Sequence, residues 1–162
     1  MSKRIGFRHI SNIGKPALIC PSGEQITNGG FETGDFTGWT PDAGTHVTAY
    51  SPHSGTYCVN TDTMNQGLSQ DIEALTGKPV PVPCIQSFGF WLKGSICPTG
   101  NATATIYYSD GTSVQHIFEA EEDVYIYCNL KPYLTSSKSV SRIRIEIDIY
   151  PDVYLDDVSL IC

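Results

Sequence analysis

The chain has 162 residues, 40% of them apolar and 17% charged, which describes a folded domain of ordinary size rather than a disordered polymer. Its formal net charge of −7 argues against a nucleic-acid binder, because phosphate contacts need a basic surface. No apolar run approaches the roughly 18 residues of a membrane-spanning helix.

The charge is unevenly placed. Lys3, Arg4, Arg8 and Lys15 fall in the first fifteen positions, which hold no acid; the six other basic residues stand against seventeen acids, a net −11. Residues 1–24 are basic, irregular and broken by Gly6, Gly14, Pro16, Pro21 and Gly23. They read as an arm attached to an acidic body, residues 25–162. Such an arm is either a solvated tail or a connector that docks on the acidic body of a neighbour. The run Ala17-Leu18-Ile19-Cys20 is too short for the apolar region of a signal peptide. Either a leader has been replaced by Met1, or the chain leaves the cell by another route, for instance on a virion. Cys20, Cys58, Cys84, Cys97, Cys128 and Cys162 are even in number and contain no C-x-x-C pair. That disfavours zinc and thioredoxin-like chemistry and allows up to three disulfides, the alternative being buried free thiols.

The dominant period is two. In chain order, strands are expected at 45–50, 56–60 and 67–73, then where Phe88, Phe90 and Leu92 alternate with Gly89 and Trp91. Ala102, Ala104, Ile106 and Tyr108 alternate with Thr103, Thr105 and Tyr107; 114–119 follows; Val124, Ile126, Cys128 and Leu130 alternate with Tyr125, Tyr127 and Asn129. Ile143, Ile145, Ile147 and Ile149 alternate with Arg142, Arg144, Glu146 and Asp148, and Val158 and Leu160 share a face near the end. Turn residues separate these runs at Ser54-Gly55, Thr76 to Pro79, Pro98 to Asn101, Ser109 to Gly111 and Tyr150 to Asp152. Residues 71–76 offer one helical turn at most. Eight or nine short strands predict an all-β, antiparallel two-sheet sandwich of jelly-roll type.

Three segments carry a family resemblance: Asn28-Gly-Gly-Phe-Glu-Thr-Gly-Asp-Phe-Thr-Gly-Trp39, Ser51-Pro-His-Ser-Gly-Thr-Tyr57 and Val153-Tyr-Leu-Asp-Asp-Val-Ser-Leu160. In this order they resemble the β-jelly-roll carbohydrate-binding modules with a galactose-binding-like fold, over about residues 25–161. Ser87 to Lys93 is similar to a mid-domain strand of those modules. Phe31, Phe36 and Trp39 are expected to plug the first loop into the sandwich, so Trp39 is read as core. The resemblance implies a structural calcium bound by Glu32 and Asp156, with backbone carbonyls around Gly30 and the loop Ser51 to Ser54. Calcium takes six to eight oxygens, so two carboxylates and turn carbonyls suit it. The alternative is two acids that cap turns. By strand parity Asp156 shares the face of Val158 and Leu160, and Asp157 points the other way.

Trp91, Tyr107, Tyr125, Tyr127, Arg142, Arg144, Glu146 and Asp148 occupy the polar phase of four strands. If those strands share one sheet, they form a single face. Sugars need flat aromatic surface for their C–H faces and planar polar groups for paired hydroxyls, and this face supplies both. Two other readings stay open: a solvated face of cross-strand pairs, and a subunit interface. Catalysis finds no support, since no nucleophile elbow, zinc-helix motif or phosphate loop occurs. His9, His46, His53 and His116 are scattered, with His53 read as a surface residue; Glu121 to Asp123 reads as a solvated turn, and Asn101-Ala-Thr103 as a glycosylation acceptor in a turn. The sequence therefore predicts a non-catalytic extracellular sandwich that binds carbohydrate and calcium. The alternative is a self-assembling subunit of a filament, surface layer or virion, linked to copies of itself through residues 1–24.

Overall fold

In the computed structural model the described residues are 17–94, 100–147 and 153–162. Most of the basic arm, Cys97, the turn at Pro98-Thr99, and Asp148, Ile149 and the turn after them lie outside these residues.

The described residues form β1 (Thr40–Pro41), β2 (Thr45–Thr48), β3 (Cys58–Thr61), β4 (Gln66–Asp71), α1 (Ile72–Thr76), β5 (Val80–Pro81), β6 (Ser87–Gly94), β7 (Asn101–Tyr108), β8 (Ser113–Glu119), β9 (Ile126–Asn129), β10 (Ser139–Ile147) and β11 (Val153–Ile161). One antiparallel sheet runs β1-β4-β10-β7-β8, with β5 also paired to β10; the other runs β2-β3-β11-β6-β9. This is the predicted all-β sandwich. We call them the β10 sheet and the β11 sheet.

The alternation of sequence explains the layers. On β10, Ile143, Ile145 and Ile147 are fully buried, while Arg142, Arg144 and Glu146 point away from the core. On β6, Phe88, Phe90 and Leu92 are fully buried between the sheets. Each large apolar side chain so buried contributes about 1.5–3 kcal/mol. The single helical turn α1 is capped by Asp71, whose side chain accepts from the Ala74 N–H at 2.8 Å, and it ends at Gly77 in the left-handed region. Its position agrees with the one turn read at 71–76.

The first motif forms a plug. Phe31 is fully buried and Trp39 is 6% exposed, with ring centroids 5.7 Å apart. The Trp39 indole donates to the Asn28 carbonyl at 3.1 Å. Trp39 is core, as expected.

Residues 20–24 are bound to the body. Gly23 and Cys162 exchange backbone hydrogen bonds of 3.0 and 3.1 Å, and Gln25 donates to Leu160 O at 2.8 Å. Cys20 and Cys84 form a disulfide. Of the up to three disulfides expected, this one is found among the described residues, while Cys58, Cys128 and Cys162 are free thiols, as in the alternative reading. Burial pushes both Cys58 and Cys128 up to about 12, so these thiols stay protonated and act as small apolar fillers. Asn101 also differs from expectation, since it opens β7 and pairs with Glu119 instead of lying in a turn.

Candidate carbohydrate face and carboxylate-gripped loop

The predicted ligand face divides into two. Tyr107, Arg142, Arg144 and Glu146 lie on the outer side of the β10 sheet, whereas Trp91 and Tyr127 are paired across β6 and β9 in the β11 sheet, with Tyr125 just before β9. The chain crosses from one sheet to the other between β6 and β7. A period of two assigns a residue to a face of its own strand, but it does not say which strands share a sheet.

On the β10 sheet the polar residues are locked together. Arg144 donates to Asp42 at 2.6 Å and to Glu146 at 2.8 Å, with a second, longer bond of 3.4 Å to Asp42. Asp42 also accepts the Gly67 N–H at 2.9 Å. Hydrogen bonding to Arg144 holds the Asp42 carboxyl below the usual carboxylate range, and the same bond raises the guanidinium further. The three side chains are 24–32% exposed, so their outer edges remain open to solvent. Arg142 lies over the Tyr107 ring, its guanidinium carbon 4.0 Å from the centroid. Beyond them Gln115 donates to Thr105 at 3.1 Å, which continues the polar surface onto β8.

Backbone detail fixes this arrangement. Gly67 lies opposite Glu146 in the ladder, and a methyl group there would sit 2.4 Å from the Ile145 carbonyl. Only glycine lets β4 approach β10 this closely. Asp42 was missed by the sequence reading. It sits in a Pro-Asp-Ala-Gly turn that looks like an ordinary connection, and its partner is 102 residues away.

On the β11 sheet the aromatic residues hold a loop. The His53 ring stacks on Trp91 at 4.0 Å with an interplanar angle of 15°, and its edge meets Tyr125 at 5.0 Å. The Tyr125 hydroxyl donates to the Ser51 carbonyl at 2.8 Å, and Lys93 donates to the Ser51 hydroxyl at 2.5 Å. Burial keeps the Tyr125 phenol protonated, well above its ordinary value. His53 is therefore not a free surface residue: it also meets Asp157 at 2.7 Å. Trp91 and Tyr125 are largely covered, while Tyr127 remains 44% exposed.

The same loop is gripped by two acids. Glu32 accepts from the Thr56 and Tyr57 N–H groups at 2.9–3.0 Å. Asp156 accepts from the His53, Ser54 and Asp157 N–H groups at 2.8, 3.2 and 2.7 Å. The two acids thus grip neighbouring parts of one loop, residues 53–57. The parity of Asp156 differs from expectation. A bulge between Asp156 and Ser159, with Asp157 at φ +46°, puts Asp156 opposite Trp91, on the outer side of the sheet, away from Leu160, which pairs with buried Phe88. Gly30 packs against this bulge: a methyl group there would lie 3.1 Å from an Asp157 carboxylate oxygen.

Asp156 is completely buried, and no cationic side chain pairs with it among the described residues. Burial pushes its carboxyl up to about 6. No group of three or more His, Cys, Asp or Glu side chains able to hold a metal occurs among the described residues. The loop presents N–H donors to both acids, the contacts of the turn-capping alternative; a metal site here would need two carboxylates together with loop carbonyls. That all-oxygen donor set fits calcium, and a buried carboxylate lacking a counter-charge is the kind of group a cation would stabilise.

No protein-family model matches the sequence, and no curated protein sequence matches it. Solved structures do share the fold. A family 61 carbohydrate-binding module solved with β-1,4-galactotriose superposes with a TM-score of 0.56 at 19% identity, over 86% of this chain and 98% of that one. A family 16 carbohydrate-binding module gives 0.62 at 19% identity, over 85% and 99%. The enzymatically active domain of a bacteriophage CBA120 tailspike gives 0.58 at 15% identity, over 85% of this chain but 21% of that one. The chain has the jelly-roll sandwich fold of the carbohydrate-binding modules.

Proposed function

We propose that the chain is a non-catalytic domain that binds carbohydrate through the outer face of its β10 sheet. The observation that carries this reading is Arg144, fixed between Asp42 and Glu146 on the same face as Tyr107 and Arg142. The two carboxylates accept hydroxyl protons, the guanidinium edges donate to hydroxyl oxygens, and the ring of Tyr107 supplies apolar surface. Because these groups are already held by one another, little side-chain freedom is lost when a sugar docks. The structural likeness to carbohydrate-binding modules supports the same reading at the level of the fold. Trp91 and Tyr125 are assigned instead to holding the loop over the β11 sheet, and the exposed ring of Tyr127 stands apart from the proposed site.

Arg144→Ala is expected to remove most glycan affinity, by about 2 kcal/mol or more, since it leaves Asp42 and Glu146 without their cation, whereas Glu146→Ala, which leaves Arg144 paired with Asp42, is expected to cost about 1 kcal/mol through the lost hydroxyl acceptor. Trp91→Ala is expected to change stability rather than the affinity of the folded fraction. Calorimetric titration of a glycan found on an array checks both. Full affinity in Arg144→Ala would refute the site.

A calcium ion is proposed between Glu32, Asp156 and carbonyl groups near Gly30 and the 51–54 loop, where it would neutralise the buried carboxylate. Millimolar calcium is then expected to raise Tm in the natural chain but not in Glu32→Gln. The gain is about 2.7 kcal/mol when calcium stands at 100 times its dissociation constant. Equal melting in calcium and in chelator would reject the ion. An extracellular location is proposed on the Cys20–Cys84 disulfide, which an oxidising compartment preserves.

A further inference from the structure

We infer that the proposed face selects anionic sugars, with the Arg142–Tyr107 pair receiving the carboxylate of a uronic acid unit; this rests on the carbohydrate reading above. The two arginines of β10 stand two residues apart on the same face, about 7 Å along the strand, but their charges are treated differently. Arg144 is matched by two carboxylates, Asp42 and Glu146. Arg142 is exposed, and no carboxylate pairs with it among the described residues.

An acid was available to it. Asp71 lies directly opposite Arg142 in the β4–β10 ladder. Its side chain is committed instead to the Ala74 N–H at the start of α1. Arg142 itself lies over the Tyr107 ring at 4.0 Å. Stacking leaves the in-plane donor edges of a guanidinium free, and those edges match a planar carboxylate with two parallel hydrogen bonds. The ring also restricts the side chain, so less freedom is lost when the pair forms. A ligand complementary to the whole face therefore carries hydroxyls over Asp42, Arg144 and Glu146 and a carboxylate over Arg142.

The test uses matched pairs of oligosaccharides: galacturonic, glucuronic and mannuronic acid oligomers, each beside its carboxyl-reduced neutral counterpart. Binding to the full chain is measured by calorimetry at low and high salt. At least one acid oligomer is expected to bind about ten- to a hundredfold more tightly than its neutral partner, the scale of a charged hydrogen-bond pair. That ratio is expected to fall with salt. Arg142→Gln is expected to bring each pair to parity with Tm unchanged, while Arg144→Gln weakens both members. Neutral oligomers binding as well as or better than the acids, or an acid preference that survives Arg142→Gln, would overturn this inference and leave the carbohydrate reading standing. Failure of every oligomer, acid and neutral, on the array and in calorimetry would overturn both.

Discussion

Phe31→Ala is expected to lower stability by about 3–5 kcal/mol, the range for removing a fully buried aromatic ring. Phe31 is completely buried and rests against Trp39, so its loss opens a cavity beneath the loop that closes the sandwich edge. The backbone turn cannot easily collapse into that space, because Phe31 already sits at φ +57° and the indole of Trp39 is tied to Asn28. For a domain of this size the fall in Tm is roughly 10 °C. Urea unfolding followed by tryptophan fluorescence checks it: the midpoint falls while the slope stays constant. A loss below about 1 kcal/mol would mean that the motif is a surface loop and not a structural plug.

Gly29→Ala is expected to be at least as damaging, by a different cause. A methyl group on Gly29 would lie 1.8 Å from the carbonyl oxygen of Val158 and 2.9 Å from its carbon. Both are backbone atoms, so no side chain can move aside. The segment must separate from β11 and break the 3.0 Å bond from Val158 N–H to Gly29 O. A cost above about 3 kcal/mol follows. The same contact borders the bulge that presents Asp156 and Asp157, so the calcium response is expected to vanish with it. Gly111→Ala serves as the comparison. Gly111 has φ +82° and nothing within 4 Å of its missing methyl, so it loses only the 1–2 kcal/mol of a left-handed non-glycine residue. If the two variants melt alike, close packing of the first motif on the last strand is wrong.

Much of the fold was legible because burial leaves a period in the chain. Ile143, Ile145 and Ile147 alternate with Arg142, Arg144 and Glu146, and they are the inner and outer residues of β10. The convergence of Glu32 and Asp156 on one loop was legible from the first and last motifs together. What the sequence hid were relations between strands. Trp91 and Arg144 have the same local pattern of neighbours, yet they stand on opposite outer faces, because sheet membership depends on topology and not on alternation. The bulge at Asp157 reversed the parity of Asp156 without any unusual residue to announce it, since aspartate tolerates the left-handed region better than most residues. Asp42 gave no signal for the complementary reason: its ion pair with Arg144 spans most of the chain. His53 looked like a loop residue, and only the stacked geometry on Trp91 gives it a partner.

Sugar is expected to meet the β10 face and not the aromatic cluster of the β11 sheet. Amide chemical-shift mapping during titration with a glycan taken from the array tests it most directly. The amides of Thr103, Thr105 and Arg142 to Glu146 are expected to shift together and saturate, while those of Trp91, Lys93 and Tyr127 stay in place. Shifts centred on Trp91 and Tyr127, with β10 unmoved, would contradict it.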